Sequence, residues 1–92
     1  MADAGVKIPQ TVEEAHQLGY ATEQKTLEEA QAIMRAGAVA RIQREGVQRD
    51  CSTIPPNHKC WEGDCDASGW KEVLYCDGTQ GCTIYAKVRC RP

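Results

Sequence analysis

All six cysteines lie in the C-terminal part of the chain, at Cys51, Cys60, Cys65, Cys76, Cys82 and Cys90, and none precedes residue 51. An even cysteine count in so short a stretch reads as a disulfide framework. Size points the same way: residues 51–92 are close to the length below which a core alone rarely holds a fold, so cross-links or a metal are expected there. The chain has no Phe, two Trp and three Tyr. Its core must therefore use Ile, Val, Leu, Ala and cystine sulfur. The chain divides into a cysteine-free helical segment, residues 1–50, and a cysteine-rich module, residues 51–92, which are expected to pack as one unit.

Residues 1–10 read as a loose lead-in. Thr11-Val12-Glu13-Glu14 places a hydroxyl at an N-cap and a carboxylate three residues on, a capping box that predicts a short helix over about 12–18. Gly19 supplies its stop. The pattern recurs as Thr26-Leu27-Glu28-Glu29 and predicts a longer helix over about 27–45, ended by Gly46. Leu27, Ala30, Met34, Ala38 and Ile42 recur at helical spacing, with Ile33 beside them. That stripe is expected to pack on the first helix or on the cysteine-rich module, with Gly37 permitting a close approach to the first helix.

Charge follows the same division. Residues 1–30 carry a net −4, residues 31–50 a net +2, and residues 51–92 are neutral. Acids early and arginines late complement the helix dipole. The overall charge of −2 provides no basic face for nucleic acid, and no apolar run has the length of a membrane span.

Downstream, Pro55-Pro56 keeps the backbone extended and non-helical. The apolar period then changes to two. Trp70 to Cys76 and Cys82 to Cys90 read as strands of a hairpin around residues 77–81. Cys82, Ile84, Ala86, Val88 and Cys90 are expected to share one face with Leu74 and Cys76, leaving Thr83, Tyr85, Lys87 and Arg89 on the other. One face would be buried and one wet. The expected fold is α+β: two N-terminal helices followed by a small disulfide-rich loop and an antiparallel β-hairpin.

With Cys76 opposite Cys82, facing Cα atoms stand about 4.5–5.5 Å apart, within a disulfide's reach. Cys90 then falls opposite Ser68, near Cys65 and Cys60. The expected pairing is Cys76–Cys82, Cys65–Cys90 and Cys51–Cys60, with Cys60–Cys90 as the alternative partner for the last cysteine. A bulge in either strand would shift this register.

Asp64, Asp66 and Ser68, followed by Gly69, match the first half of a Ca²⁺ loop, with Glu72 at the ninth position and Glu62 nearby. Tyr75 stands where the bidentate Glu belongs, and strand rather than helix follows, so an acidic turn is the plainer expectation. Zinc is a second candidate, with abundant thiols and His58 beside Cys60, although the sequence lacks the Cys-x₂-Cys pairs of ribbon-type sites. Neither metal nor any other cofactor is expected. Catalysis finds little support. Cys60 is expected to be paired and so is no reactive thiol, His16 and His58 lie on different elements, and Ser52 and Ser68 stand in no nucleophile elbow. Trp61, Tyr75, Tyr85, Lys71, Lys87 and Arg89 combine aromatics with charge, as recognition patches do. A cross-strand tyrosine pair, or cover by the long helix, is the structural alternative.

The expected function is that of a small, secreted, disulfide-stabilised binding protein, an inhibitor or effector of another protein, with no enzyme activity. Its advantage would be preorganisation, which lowers the entropy lost on docking. One alternative is a precursor, with a helical leader over residues 1–50 released near Arg49-Asp50 from a cysteine-rich product over residues 51–92. Another is an intracellular zinc-binding module. The sequence from Met1 to Gly5 is not a signal peptide, whereas disulfides ordinarily need an oxidising compartment. Secretion is therefore expected with Met1 in place of a removed signal.

Overall fold

The computed structural model describes residues 6–38, 51–78 and 81–91. Among these, the elements follow in the order α1 (Val12–Gln17), β1 (Thr22–Gln24), α2 (Leu27–Ala38), β2 (Lys59–Glu62), β3 (Trp70–Cys76) and β4 (Cys82–Arg89). The strands form one antiparallel sheet in the order β1-β4-β3-β2. The fold is a small α+β domain. The expected hairpin is its centre, and β1 and β2 are strands that the sequence does not announce.

Both helices start where the capping boxes place them. At α1, the Thr11 hydroxyl accepts the Glu14 amide at 3.0 Å. Glu14 reaches one residue beyond the usual box partner and accepts the Gln10 amide at 2.7 Å. Gly19, at φ 93°, ends the helix in a Schellman motif: its amide donates to the His16 carbonyl at 3.0 Å, and the Tyr20 amide to the Ala15 carbonyl at 2.9 Å. At α2 the box is reciprocal. The Glu29 amide donates to the Thr26 hydroxyl and the Thr26 amide to the Glu29 carboxylate, each at 3.0 Å. The rest of the expected second helix, with Ile42 and Gly46, lies outside the described residues, as does Arg49-Asp50.

The sheet is covered on both faces, so the expectation of one buried and one wet face is corrected. Val73, Leu74, Tyr75 and Cys76 are consecutive and fully buried, which requires cover on each side. On one face α2 supplies it, with Ala30, Ile33 and Met34 against Cys60, Trp61, Leu74 and Cys82. Ala30, Ile33 and Met34 of the expected stripe thus pack on the cysteine-rich sheet, while Leu27 is exposed. On the other face Ile8, Val12 and Tyr20 cover Val73, Tyr75, Ala86 and Val88. The lead-in is therefore not loose from residue 6 onward. Pro9 is buried, its carbonyl accepts the Tyr75 hydroxyl at 2.9 Å, and the Gln10 carbonyl accepts the Lys59 amide at 2.9 Å. Asn57, at φ 69°, turns the chain into β2 and accepts the Val12 amide at 2.9 Å.

Two bulges reset the expected register. In β4, Tyr75 faces Ile84 and Cys76 faces Cys82, so Thr83 is the extra residue. It is fully buried and donates its hydroxyl to Asp77 at 3.0 Å. Above this bulge every pair moves by one: Leu74 faces Tyr85, Glu72 faces Lys87 and Trp70 faces Arg89. Ile84, Ala86 and Val88 consequently share a face with Val73 and Tyr75, and not with Leu74 as expected. In β2, Cys60 is the extra residue between Lys59, facing Tyr75, and Trp61, facing Leu74.

The disulfides follow from these bulges. The structure pairs Cys51–Cys76, Cys60–Cys82 and Cys65–Cys90, with Cα atoms 5.7, 5.9 and 5.8 Å apart. Cys65–Cys90, the expected choice over Cys60–Cys90, forms. Cys76–Cys82 and Cys51–Cys60 do not form, although Cys76 and Cys82 do face each other across the strands. The unpaired position of Cys60 in the β2 bulge brings its sulfur to Cys82, and Cys76 is taken by Cys51 from the loop beneath.

Candidate functional site

The segment between β2 and β3 is built around Asp66. Its carboxylate accepts the Ser68 amide at 2.8 Å and the Trp70 amide at 3.0 Å, while its own amide donates to the Trp70 carbonyl at 2.8 Å. The Arg91 guanidinium donates to the Asp66 carbonyl. The Trp70 amide leads in holding the Asp66 carboxyl below its ordinary range, with the Ser68 amide assisting and partial desolvation opposing. A carboxylate engaged by its own turn is an Asx-type turn. In the Asp64, Asp66 and Ser68 stretch, the Asp66 carboxylate is thus engaged by its own turn.

This turn delivers Trp70 to the start of β3, beside a groove of about 270 Å³. Trp61 and Trp70 are its aromatic walls, and Asp64, Asp66, Glu72 and Lys87 set its charge. Trp70, Glu72 and Lys87 share one sheet face because Glu72 faces Lys87 across the strands. The described part of α2 lies at the other end of that face, against Leu74, Tyr85 and Cys82. Gly63 lets the groove close around Trp61. A Cβ there would meet the indole at 2.9 Å and the Glu72 carbonyl at 3.3 Å, so a side chain would displace a ring that is only 6% exposed.

Trp70 is itself braced. The Arg89 guanidinium carbon stands 4.9 Å from its ring centroid, and Tyr20 meets it edge-on at 6.5 Å. The Tyr20 hydroxyl also accepts the Arg89 amide at 3.2 Å. This leaves a half-buried indole held on two sides beside a charged, partly open rim. Such a site suits recognition by an aromatic anchor. Away from the groove, Cys60, next to His58, is disulfide-bonded, and the His16 ring bonds the Thr22 hydroxyl at 2.9 Å.

The expected patch is divided by the true register. Trp61 walls the groove, Lys87 is exposed on its rim, Lys71 borders it, and Arg89 acts through Trp70. Tyr75 is removed altogether, being buried on the opposite face under Pro9. Burial, aided by the Glu14 carboxylate, pushes its hydroxyl up. Tyr85 shares the groove's face but lies towards α2, with the Lys25 ammonium 5.2 Å from its ring centroid. Its hydroxyl donates to Glu72 at 3.1 Å and is pushed up to about 12, by burial first and the Glu72 carboxylate second. Trp70 and Glu72 complete the site and were not among the expected binding residues. The opposite charges of Glu72 and Lys87 were the available signal for pairing them.

On the other side of the sheet Lys59 and Lys71 both bond the Glu62 carboxylate. Burial works to raise the Glu62 carboxyl, but the hydrogen bonds and charges of the two lysines outweigh it and hold it below the ordinary range. A depressed carboxyl contributes stability above its unfolded pKa and loses it as pH falls through the folded one. The wild-type melting temperature is therefore expected to fall as pH drops below about 4.3. Glu62→Gln should flatten part of that slope and cost less than about 1 kcal/mol at neutral pH, given partial solvent screening. Melting curves at several pH values test this.

No protein-family model, curated protein or solved structure matches the chain.

Proposed function

We propose that this protein is a non-enzymatic binding module, secreted or otherwise held in an oxidising compartment, that docks another protein through the groove between Trp61 and Trp70 and acts as an inhibitor or effector. The observation that carries this reading is the braced, half-buried Trp70 beside a charged groove on a sheet tied by three disulfides. Tryptophan and arginine are the residue types that most often dominate binding energy at the centre of an interface. The disulfides keep the groove walls ordered before docking, which reduces the entropy lost on association. Three disulfides fit an oxidising compartment, and no described helix is long and apolar enough to cross a membrane. The precursor alternative is disfavoured by the place of β1 within the sheet, paired to β4.

Lys87 offers the test, since it is exposed on the rim. A photo-reactive residue at position 87 should crosslink the partner protein, whereas the same probe at exposed Glu13 on α1 should not. Lys87→Glu should weaken binding about tenfold or more, equivalent to about 1.4 kcal/mol, a loss beyond the small drop in melting temperature that follows from setting a second carboxylate opposite Glu72. Equal crosslinking from both positions, or unchanged affinity in Lys87→Glu, would remove the groove from the binding role.

A further inference from the structure

Two disulfides that are separate in sequence meet in space. The sulfurs of Cys51, Cys60 and Cys76 all lie within 4.8 Å of one another, although Cys51 is bonded to Cys76 and Cys60 to Cys82. Cys82 brings a fourth sulfur to the cluster through its bond to Cys60, and its backbone faces Cys76 across the sheet. Cys60, Cys76 and Cys82 are buried and Cys51 half-buried. The third disulfide, Cys65–Cys90, joins the loop before β3 to the residue after β4, where Cys65 is exposed. The six cysteines therefore divide into a cluster of three sulfurs with Cys82 bonded to it and the separate Cys65–Cys90 pair, a division that the sequence spacing conceals.

We infer that Cys51, Cys60, Cys76 and Cys82 form a redox-gated thiolate site that binds one Zn²⁺ when both of its disulfides are reduced. Four sulfurs about 2.3 Å from a tetrahedral zinc stand roughly 3.8 Å from each other. Three of these sulfurs, those of Cys51, Cys60 and Cys76, already lie within 4.8 Å of one another, and the fourth, on Cys82, is bonded to one of them, so side-chain movements can bring all four to that spacing. Reduction moves them the right way, because a broken S–S bond lets its two sulfurs separate to non-bonded distance. The chemistry balances with a dithiol as reductant. Each disulfide takes two electrons and two protons from one dithiol, which leaves as a cyclic disulfide, and the metal then displaces the thiol protons into solvent. The oxidised protein has no thiolate to offer and binds no zinc at this site. In a reducing compartment the metal takes over the cross-linking that the two disulfides supply in an oxidising one.

The test uses the full chain, reduced with a non-metal-binding phosphine under anaerobic conditions and titrated with Co²⁺ and then Zn²⁺. Co²⁺ should give the intense visible absorption of a tetrahedral thiolate complex, saturating at one equivalent and bleached by Zn²⁺. Brief alkylation of the zinc-loaded protein, followed by peptide mapping, should modify Cys65 and Cys90 and spare Cys51, Cys60, Cys76 and Cys82. Cys65→Ser/Cys90→Ser should keep the cobalt spectrum, and Cys60→Ser should weaken zinc binding at least tenfold. Absence of the thiolate spectrum would overturn the proposal. So would uniform alkylation of all six cysteines, or equal protection of Cys65 and Cys90, which marks zinc held by an unfolded chain.

Discussion

Breaking Cys51–Cys76 and Cys60–Cys82 together, by replacing all four cysteines with serine, or along with Cys65–Cys90 by full reduction in the presence of a chelator, is expected to unfold the sheet at room temperature. The bonds span 25 and 22 residues, and each loop of that length restricts the unfolded chain by about 3–4 kcal/mol in the chain-entropy picture. A chain of this size has a total stability of about 5–14 kcal/mol, so the pair carries a large share of it. Packing adds to the loss, because Cys60, Cys76 and Cys82 sit in the core with Leu74 and Trp61, and serine there buries hydroxyls and leaves space. Cys65→Ser/Cys90→Ser is the contrast. That bond lies at the sheet's end with Cys65 exposed, and its loss should cost about 2–4 kcal/mol and lower the melting temperature by about 10–20 °C with the sheet intact. Thermal melts followed by circular dichroism check both. If the chelated, reduced protein melts as the oxidised one does, sulfur is not what holds this fold.

Local chemistry was legible in the sequence where it acts within a few residues. Thr11 with Glu14 and Thr26 with Glu29 set both helix starts, and Gly19 set a stop, because caps are satisfied by near neighbours. The central strands were legible from their length and apolar content. β1 was not. Thr22, Glu23 and Gln24 are half-buried or exposed, with no alternation to see, and they become a strand because β4 offers them an edge. β2 was hidden by its own bulge, which breaks a four-residue alternation at Cys60. The hairpin register is the instructive failure. Placing Cys76 opposite Cys82 without a bulge sets Lys71 against Lys87, and like charges directly opposite are unfavourable. Moving the upper strand by one sets Glu72 against Lys87 and Trp70 against Arg89, as observed. The charges contained the register that the cysteines obscured. The unbulged register misassigns two of the three disulfides and sets Tyr75 beside Tyr85, whereas Tyr75 lies under Pro9. Of the groove, Trp61 and Lys87 were legible as types of residue, but its shape depends on β2 and on the turn at Asp66, which only the folded chain brings together.

The isolated segment 51–92, oxidised and refolded, is expected to lose most of the stability of the full chain. What it lacks is cover for both faces of the sheet: Ala30, Ile33 and Met34 of α2 are gone from one, and residues 8–20 from the other. Val73, Tyr75 and Val88 are fully buried there beneath Ile8, Val12 and Tyr20, and exposing them costs about 1.5–3 kcal/mol per side chain. The Tyr75 hydroxyl loses the Pro9 carbonyl, and the Arg89 amide loses Tyr20, with it one brace of Trp70. β4 loses the partner on its outer edge, since Thr22, Glu23 and Gln24 pair with Ala86, Tyr85 and Ile84. Three disulfides still restrict the unfolded chain, but they restrain connectivity and do not bury apolar surface. The segment should therefore bind a hydrophobic dye and exchange its β4 amides rapidly, where the full chain protects them, and refold to mixed disulfide isomers. Hydrogen exchange on the two proteins separates the outcomes. Protection of β4 in the segment equal to that in the full chain would mean that residues 1–50 are dispensable, as a leader removed from a finished product would be. Loss of protection makes the N-terminal segment a working part of the sheet that carries the groove.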